Sequence, residues 1–250
     1  MLNIKNLYSE VDNNVERLIL LHQELIKIES VNSGYMPTGN ETEVAEFCSN
    51  WLKQYGIESN ILSRVPERGN LVSEYPYSSG NKQLLLMSHS DVVPVENYEK
   101  WNKAPFSAEL IEGKIWGRGS SDCKGLLASQ MMALSILAER KIEFNQKFTL
   151  VCGSDEEHGG RYGFGWLAEN HPEELMYKFA VNEGGGSPVT IGNNLYYLLG
   201  TGEKGRLEIK IKIRGESSHA SVPWMGVNAM GPTANAISQI LNYSPDLDCS

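Results

Sequence analysis

Two short runs, Leu84–Met87 and Phe148–Cys152, constrain this chain most, because each is largely apolar and then breaks off abruptly. Ser88-His89-Ser90-Asp91 follows the first, and Gly153-Ser154-Asp155-Glu156-Glu157-His158 follows the second. A short run without polar alternation must be covered on both faces, as in a strand inside a helix-flanked sheet. His89 and Asp91 lie two residues apart, so in extended chain their side chains leave the strand on the same side. Open α/β sheets bind ligands beyond the carboxyl ends of their strands. Alone, the pair fits a structural hydrogen bond as well as a functional role.

The surrounding pattern supports such a sheet. Apolar residues at three- and four-residue steps predict helices over Val11–Ser30 and Glu41–Tyr55, with Gly56 as a stop. Strands are expected near Ile57–Leu62, Asn70–Tyr75, Gln83–Ser88, Lys114–Gly117, Phe148–Cys152 and Lys178–Val181, and further helices over Gly125–Lys141 and Phe164–Asn170. Strands alternating with helices give an α/β class with a mostly parallel sheet flanked by helices. After about Gly200 the pattern changes. Leu207, Ile209, Ile211 and Ile213 alternate with charged residues, predicting a strand with one wet face over Arg206–Arg214, and a helix is expected over Asn228–Leu241. Residues 1–200 therefore read as one domain and residues 201–250 as the start of a smaller α+β domain, both incomplete.

A formal net charge of -9 with no Lys/Arg cluster argues against a nucleic-acid partner. No apolar run reaches the length of a membrane span, and no leader-like segment opens the chain, so a cytoplasmic location and no membrane partner are expected. Cys48, Cys123, Cys152 and Cys249 show no CxxC spacing and read as reduced thiols. Gly117-Arg118-Gly119-Ser120-Ser121-Asp122-Cys123-Lys124-Gly125 is glycine-rich, but a phosphate-binding loop needs Gly-Lys-Ser/Thr and here Lys124 precedes Gly125. His22 and His171 read as helix-surface or helix-end residues, and His158 as a loop residue.

Four strand ends carry acid or imidazole: His89 with Asp91, Asp122, Glu156-Glu157, and Glu183. Each has a plain reading by itself. Asp122 could cap a helix, Glu156 and Glu157 could favour a helix N-terminus, and Glu183 could belong to an ordinary turn. Parallel strands bring their carboxyl ends to one sheet edge, however, and carboxylates gathered there repel unless a cation lies among them. Oxygen and imidazole donors without thiolate suit zinc, manganese or cobalt.

In order, His89-Ser-Asp-Val-Val-Pro94, Gly117–Gly125, Ser154-Asp-Glu-Glu-His-Gly-Gly160, Asn182-Glu-Gly-Gly-Gly186 and Ser217-Ser-His-Ala-Ser221 resemble the motifs of the co-catalytic zinc hydrolases. That family includes aminoacylase, acetylornithine deacetylase, succinyl-diaminopimelate desuccinylase and glutamate carboxypeptidase. The resemblance implies a zinc-exopeptidase-like catalytic domain followed by a lid and dimerisation domain. It also implies two divalent metals, zinc first and cobalt or manganese as alternatives. His89 and Glu183 would ligate one metal and Glu157 the other, with Asp122 bridging. Asp91 would orient His89. Glu156 would be the general base and then acid, and the Asp122–Cys123 peptide would be cis. His219 would reach across a homodimer interface to stabilise the tetrahedral intermediate. The implied substrate is an N-acyl amino acid or short peptide, cleaved at an amide. Family chains are longer and supply a last histidine ligand after this point, whereas no His follows His219 here, so a truncated chain is expected. The alternative reading is a non-catalytic remnant that binds a partner.

Overall fold

The computed structural model describes residues 4–36, 38–184, 186, 188–198 and 209–243. The chain divides into two compact units, Met1–Ser187 and Pro188–Ser250. The division falls ahead of the 200/201 boundary read from the sequence, because a hairpin of β8 (Pro188–Ile191) and β9 (Asn194–Tyr197) opens the second unit.

In the first unit the helix expected over Val11–Ser30 is broken into α1 (Ile4–Asn13) and α2 (Val15–Lys27). At the break, the Asn14 amide donates to the Glu10 carbonyl at 2.7 Å, the kind of local side-chain bond with which Asn competes against helix continuation. Next come α3 (Glu41–Lys53), β1 (Ser59–Ser63), β2 (Gly69–Glu74) and β3 (Ser78–His89). β4 (Glu109–Ile111) and β5 (Lys114–Trp116) form a hairpin. Its turn residues Glu112 and Gly113 both have positive φ, the conformation a two-residue hairpin turn requires. The order is completed by α4 (Lys124–Glu139), β6 (Phe144–Gly153), α5 (Phe164–Asn170) and β7 (Phe179–Val181).

The five-stranded sheet has the order β1-β2-β6-β3-β7. It is mixed: β3 runs parallel to β6 and β7, whereas β1 with β2 and β2 with β6 are antiparallel. The parallel part is the part that matters for the strand ends. The register pairs His89 with Gly153 and Leu86 with Val181, so β3, β6 and β7 finish along one edge.

Both faces of the sheet are covered, as the apolar runs require. On one side Leu25, Val44, Cys48, Leu52, Leu127, Met131 and Leu134 from α2, α3 and α4 pack with Leu71 and Leu150. On the other, Leu167 of α5 joins Val72, Leu85 and Val151. Each fully buried Leu stabilises by about 1.5–3 kcal/mol relative to exposure, so these two layers hold the edge in place.

The second unit also holds α6 (Met230–Leu241), in the region expected to be helical. The one-sided strand expected over Arg206–Arg214 is not found among the described residues: 209–214 carry no strand assignment, and Ile209 and Ile211 are exposed. Alternation specifies a strand only where a neighbouring strand completes the ladder. Positions 206–208, and Cys249, lie outside the described residues. No helix among the described residues is long and apolar enough to cross a membrane.

Candidate metal centre

Register and helix placement decide which side chains meet. β3 delivers His89 at its last position, and the Ser90 amide donates to the Gly153 carbonyl at 3.0 Å, holding the ends of β3 and β6 together. Gly117–Asp122 leads into α4, and the Asp122–Cys123 peptide is cis. Gly119 there has φ +80°, and a Cβ on it would meet Val92 at 2.6 Å, so both the backbone and the space call for glycine. After β6, Asp155 takes a left-handed conformation, and Glu156–His158 form one short 3-10 turn. Gly163 lies so close to this segment that a Cβ would meet the Ser154 carbonyl at 1.7 Å. Glu183 follows β7.

His89 is the centre of the group. Its Nδ1 lies 3.0 Å from the Asp91 carbonyl and 3.4 Å from Asp91 Oδ1. Both neighbours are acceptors, so Nδ1 carries the proton and Nε2 faces the other way. Around Nε2 stand Asp122 Oδ1 at 2.9 Å, Glu183 Oε1 at 3.2 Å and Glu156 Oε2 at 3.8 Å. Ligand atoms of His89, Asp122 and Glu157 all lie within 4.8 Å of one another, and so do those of His89, Cys123 and Glu183. The structure thus brings together His89, Asp91, Asp122, Glu156, Glu157 and Glu183. An open cleft of about 220 Å³, lined in part by Arg118, Ser120, Asp122 and Glu157, adjoins them.

The electrostatics report the crowding. Burial, reinforced by Asp122, pushes the Glu157 carboxyl up to about 7. Burial also raises Glu156, with Glu183, Asp91 and Asp122 adding repulsion. Burial would lower His89, but hydrogen bonds to Asp91 and Cys123 outweigh it and hold the imidazole well above its usual range. An imidazole and carboxylates this close together, two of them with raised pKa, are a donor set a divalent cation fits, since it satisfies all of them at once.

His219 lies in the second unit and is exposed. Its Nδ1 accepts from the Ser221 amide at 3.2 Å and sits 2.8 Å from the Ser221 hydroxyl. In the neutral ring, Nε2 is then the protonated nitrogen and a donor. His22, expected at a helix surface or helix end, lies within α2, half-buried with its ring beside Gly125.

The motifs miss one feature, a buried polar layer beneath the acids. Arg68, 1% exposed, reaches Glu41 Oε1 at 2.7 Å and Asp155 Oδ1 at 3.0 Å. Asn32 donates to Asp91 Oδ2 at 2.8 Å and to Asp155 Oδ1 at 3.0 Å. Burial pushes the Glu41 carboxyl up to about 7 even against Arg68. Arg68 lies in a charged turn, Arg64–Arg68, where nothing in the local pattern announces burial. Cys123, which the sequence pattern marks only as a reduced thiol, is buried and accepts the His89 amide at 3.3 Å.

A helix-covered sheet with imidazole and carboxylates gathered at the carboxyl ends of its parallel strands defines the class as an α/β protein with a candidate metal centre. The chain belongs to peptidase family M20/M25/M40, whose model matches residues 85–245. It is 31% identical over 240 residues to an uncharacterized metallohydrolase of Methanocaldococcus jannaschii, covering 91% of this chain and 57% of that protein. It is 29% identical over 234 residues to the succinyl-diaminopimelate desuccinylase of Ehrlichia chaffeensis, covering 90% and 56%. Among solved structures it is similar to an M20 family metallo-carboxypeptidase of Sulfolobus solfataricus, with TM-score 0.58 and 26% identity over 68% of this chain and 37% of that one. The chain spans about half the length of the curated relatives it matches.

Proposed function

We propose that the protein is a metal-dependent amide hydrolase acting on an N-acyl amino acid or a short peptide. The observation that carries this reading is His89 Nε2 facing Asp122, Glu183 and Glu156 within 3.8 Å at the shared end of three strands. His89 and Glu183 would hold one divalent ion and Glu157 another, with Asp122 between them. Zinc suits the donors best, and cobalt and manganese are the alternatives. Bound ions would supply Lewis acidity toward the scissile carbonyl and lower the pKa of the attacking water.

The remaining chemistry belongs to the chain. Asp91 holds the His89 proton on Nδ1 and so aims Nε2 at the ligand position. Glu156 is raised by burial and by its acidic neighbours, which suits a base that takes a proton from water and returns it to the leaving amine. Its backbone amide is anchored on Asp91 Oδ1 at 3.0 Å, which limits how far the carboxylate can swing. In the second unit, the Nε2 proton of His219 makes that residue a donor suited to a developing oxyanion, in a homodimer where a lid domain meets its partner's site. The desuccinylase and carboxypeptidase named among the relatives and structural neighbours support this substrate range.

The test is hydrolysis of N-succinyl and N-acetyl amino acids and of dipeptides, with added zinc, cobalt or manganese and with chelator. Metal-dependent turnover that is lost in Glu156→Gln is expected. A chain that binds metal yet turns over none of these substrates would instead support a binding remnant.

A further inference from the structure

The layer beneath the acids is more extensive than a salt bridge needs to be. Asp155 is its hub. It is 3% exposed and sits at φ +59°, a region a non-glycine residue rarely occupies. Its Oδ1 receives Arg68 at 3.0 Å and Asn32 at 3.0 Å, and its Oδ2 receives the Tyr162 amide at 3.1 Å. Its own amide faces Glu41 Oε1 at 3.3 Å, and its carbonyl accepts the amide of Gly160. Asn32 then passes from Asp155 to Asp91 Oδ2, and Asp91 accepts the amides of Glu156 and Glu157 at 3.0 and 3.1 Å. Every link from Arg68 to the two glutamates is thus a named hydrogen bond or ion pair, and the four residues Glu41, Arg68, Asn32 and Asp155 are 0–3% exposed.

Buried ion pairs are a weak source of stability, because desolvation of the charges offsets their attraction. A pair that touches only its own surroundings could be replaced by apolar residues with little loss. This one holds both sides of the turn that carries two acids of the cluster, Asp155 before Glu156 and Tyr162 after the turn. Groups hydrogen-bonded behind metal ligands orient them and govern affinity.

We propose that Glu41, Arg68, Asp155 and Asn32 form a positioning relay that fixes the Glu156–Glu157 turn against Asp91, so that both acids are preorganised before any ion or substrate arrives. The proposal rests on the metal-centre reading for its consequence, and on the hydrogen-bond chain for its substance. None of the four residues touches the reacting atoms. All act through Asp91 and the turn.

Two measurements on the full chain test it. The first is native-state hydrogen exchange without metal, comparing wild type with Asp155→Asn and with the milder Asn32→Ala. Selectively faster exchange of the Glu156, Glu157 and Tyr162 amides is expected, with protection in the middle of β6 and β3 unchanged. Protection lost evenly across the sheet, or unchanged at the turn in both variants, overturns the proposal. The second is titration with cobalt(II) alone, where each variant is expected to bind about 10–100-fold more weakly than wild type. If Asp155→Asn does not fold, Asn32→Ala alone decides both readouts. Wild type that binds no cobalt overturns the metal-centre reading, and hydrogen exchange then decides the proposal by itself. Wild type that binds cobalt while the folded variants bind it equally well overturns the proposal alone.

Discussion

His89 and Asp91 have side-chain exposures of 1% and 0%, whereas Asp122 is 68% exposed, Glu156 45% and Glu183 27%. The first two residues form a floor and the others a rim around the same point. The floor is satisfied from within the protein. Asp91 accepts from Asn32 and from two backbone amides, and His89 has a fixed tautomer. The rim faces the cleft; Glu156 is tied to the floor through its backbone amide, and burial, reinforced by acidic neighbours, raises the carboxyls of Glu156 and the adjacent Glu157. The floor is therefore buried and satisfied by the protein's own hydrogen bonds, while the rim presents to the cleft the carboxylates that a cation would relieve. Geometry and charge are supplied by different parts of the fold.

The largest effect should come from separating chemistry from binding on the rim. Glu156→Gln keeps the shape and the backbone anchor but cannot take a proton. Turnover is expected to fall about 10²–10⁴-fold, with cobalt affinity close to wild type, by steady-state kinetics alongside titration. An equal loss in both would place Glu156 among the ligands.

Breaking the floor comes next. Asp91→Asn turns one carboxylate oxygen into an NH2 donor, so at least one of the three bonds it accepts, from Asn32 and from the Glu156 and Glu157 amides, is lost, and the negative charge facing His89 Nδ1 goes with it. Cobalt affinity is expected to fall about 10–100-fold. Unchanged affinity would mean that the rim positions itself.

The pH dependence of stability sharpens the contrast. Glu157 and Glu41 are both pushed up to about 7 in the folded chain from 4.5, so between those values the native state holds protons that the unfolded state has released. Stability of the metal-free chain should be greatest at the acid end of this window and fall as pH rises toward 7. Urea unfolding at several pH values measures the slope. Saturating cobalt should remove the Glu157 share, because an ion takes the place of the proton, and Glu41→Gln should remove the other share.

The smallest effect is expected away from both regions. The Tyr75 hydroxyl donates to the Ile142 carbonyl at 3.0 Å beneath stacked Phe148. Tyr75→Phe should cost about 1 kcal/mol in urea unfolding and leave cobalt binding unchanged.

Legibility from sequence followed the same division. The strand endings were readable because a buried strand must be apolar and its end must turn polar, and every acid so marked in the first unit arrives at the common edge. Phe164–Asn170 appears with the expected bounds. The mixed pairing of the sheet was not readable, since an antiparallel β2 buried on both faces reads like a parallel strand. Nor was the hairpin β8–β9, whose short strands at Pro188–Ile191 and Asn194–Tyr197 are mostly exposed and carry no core signal.

From the sequence alone came the α/β class, the positions where chemistry gathers and the family resemblance, all of which depend on local patterns of polarity within a few residues. Only the tertiary structure showed that Arg68, Glu41, Asn32 and Asp155, spread over more than a hundred positions, form one layer under those acids. A buried charge is tolerated only where partners from distant segments meet it, and no local pattern records that meeting.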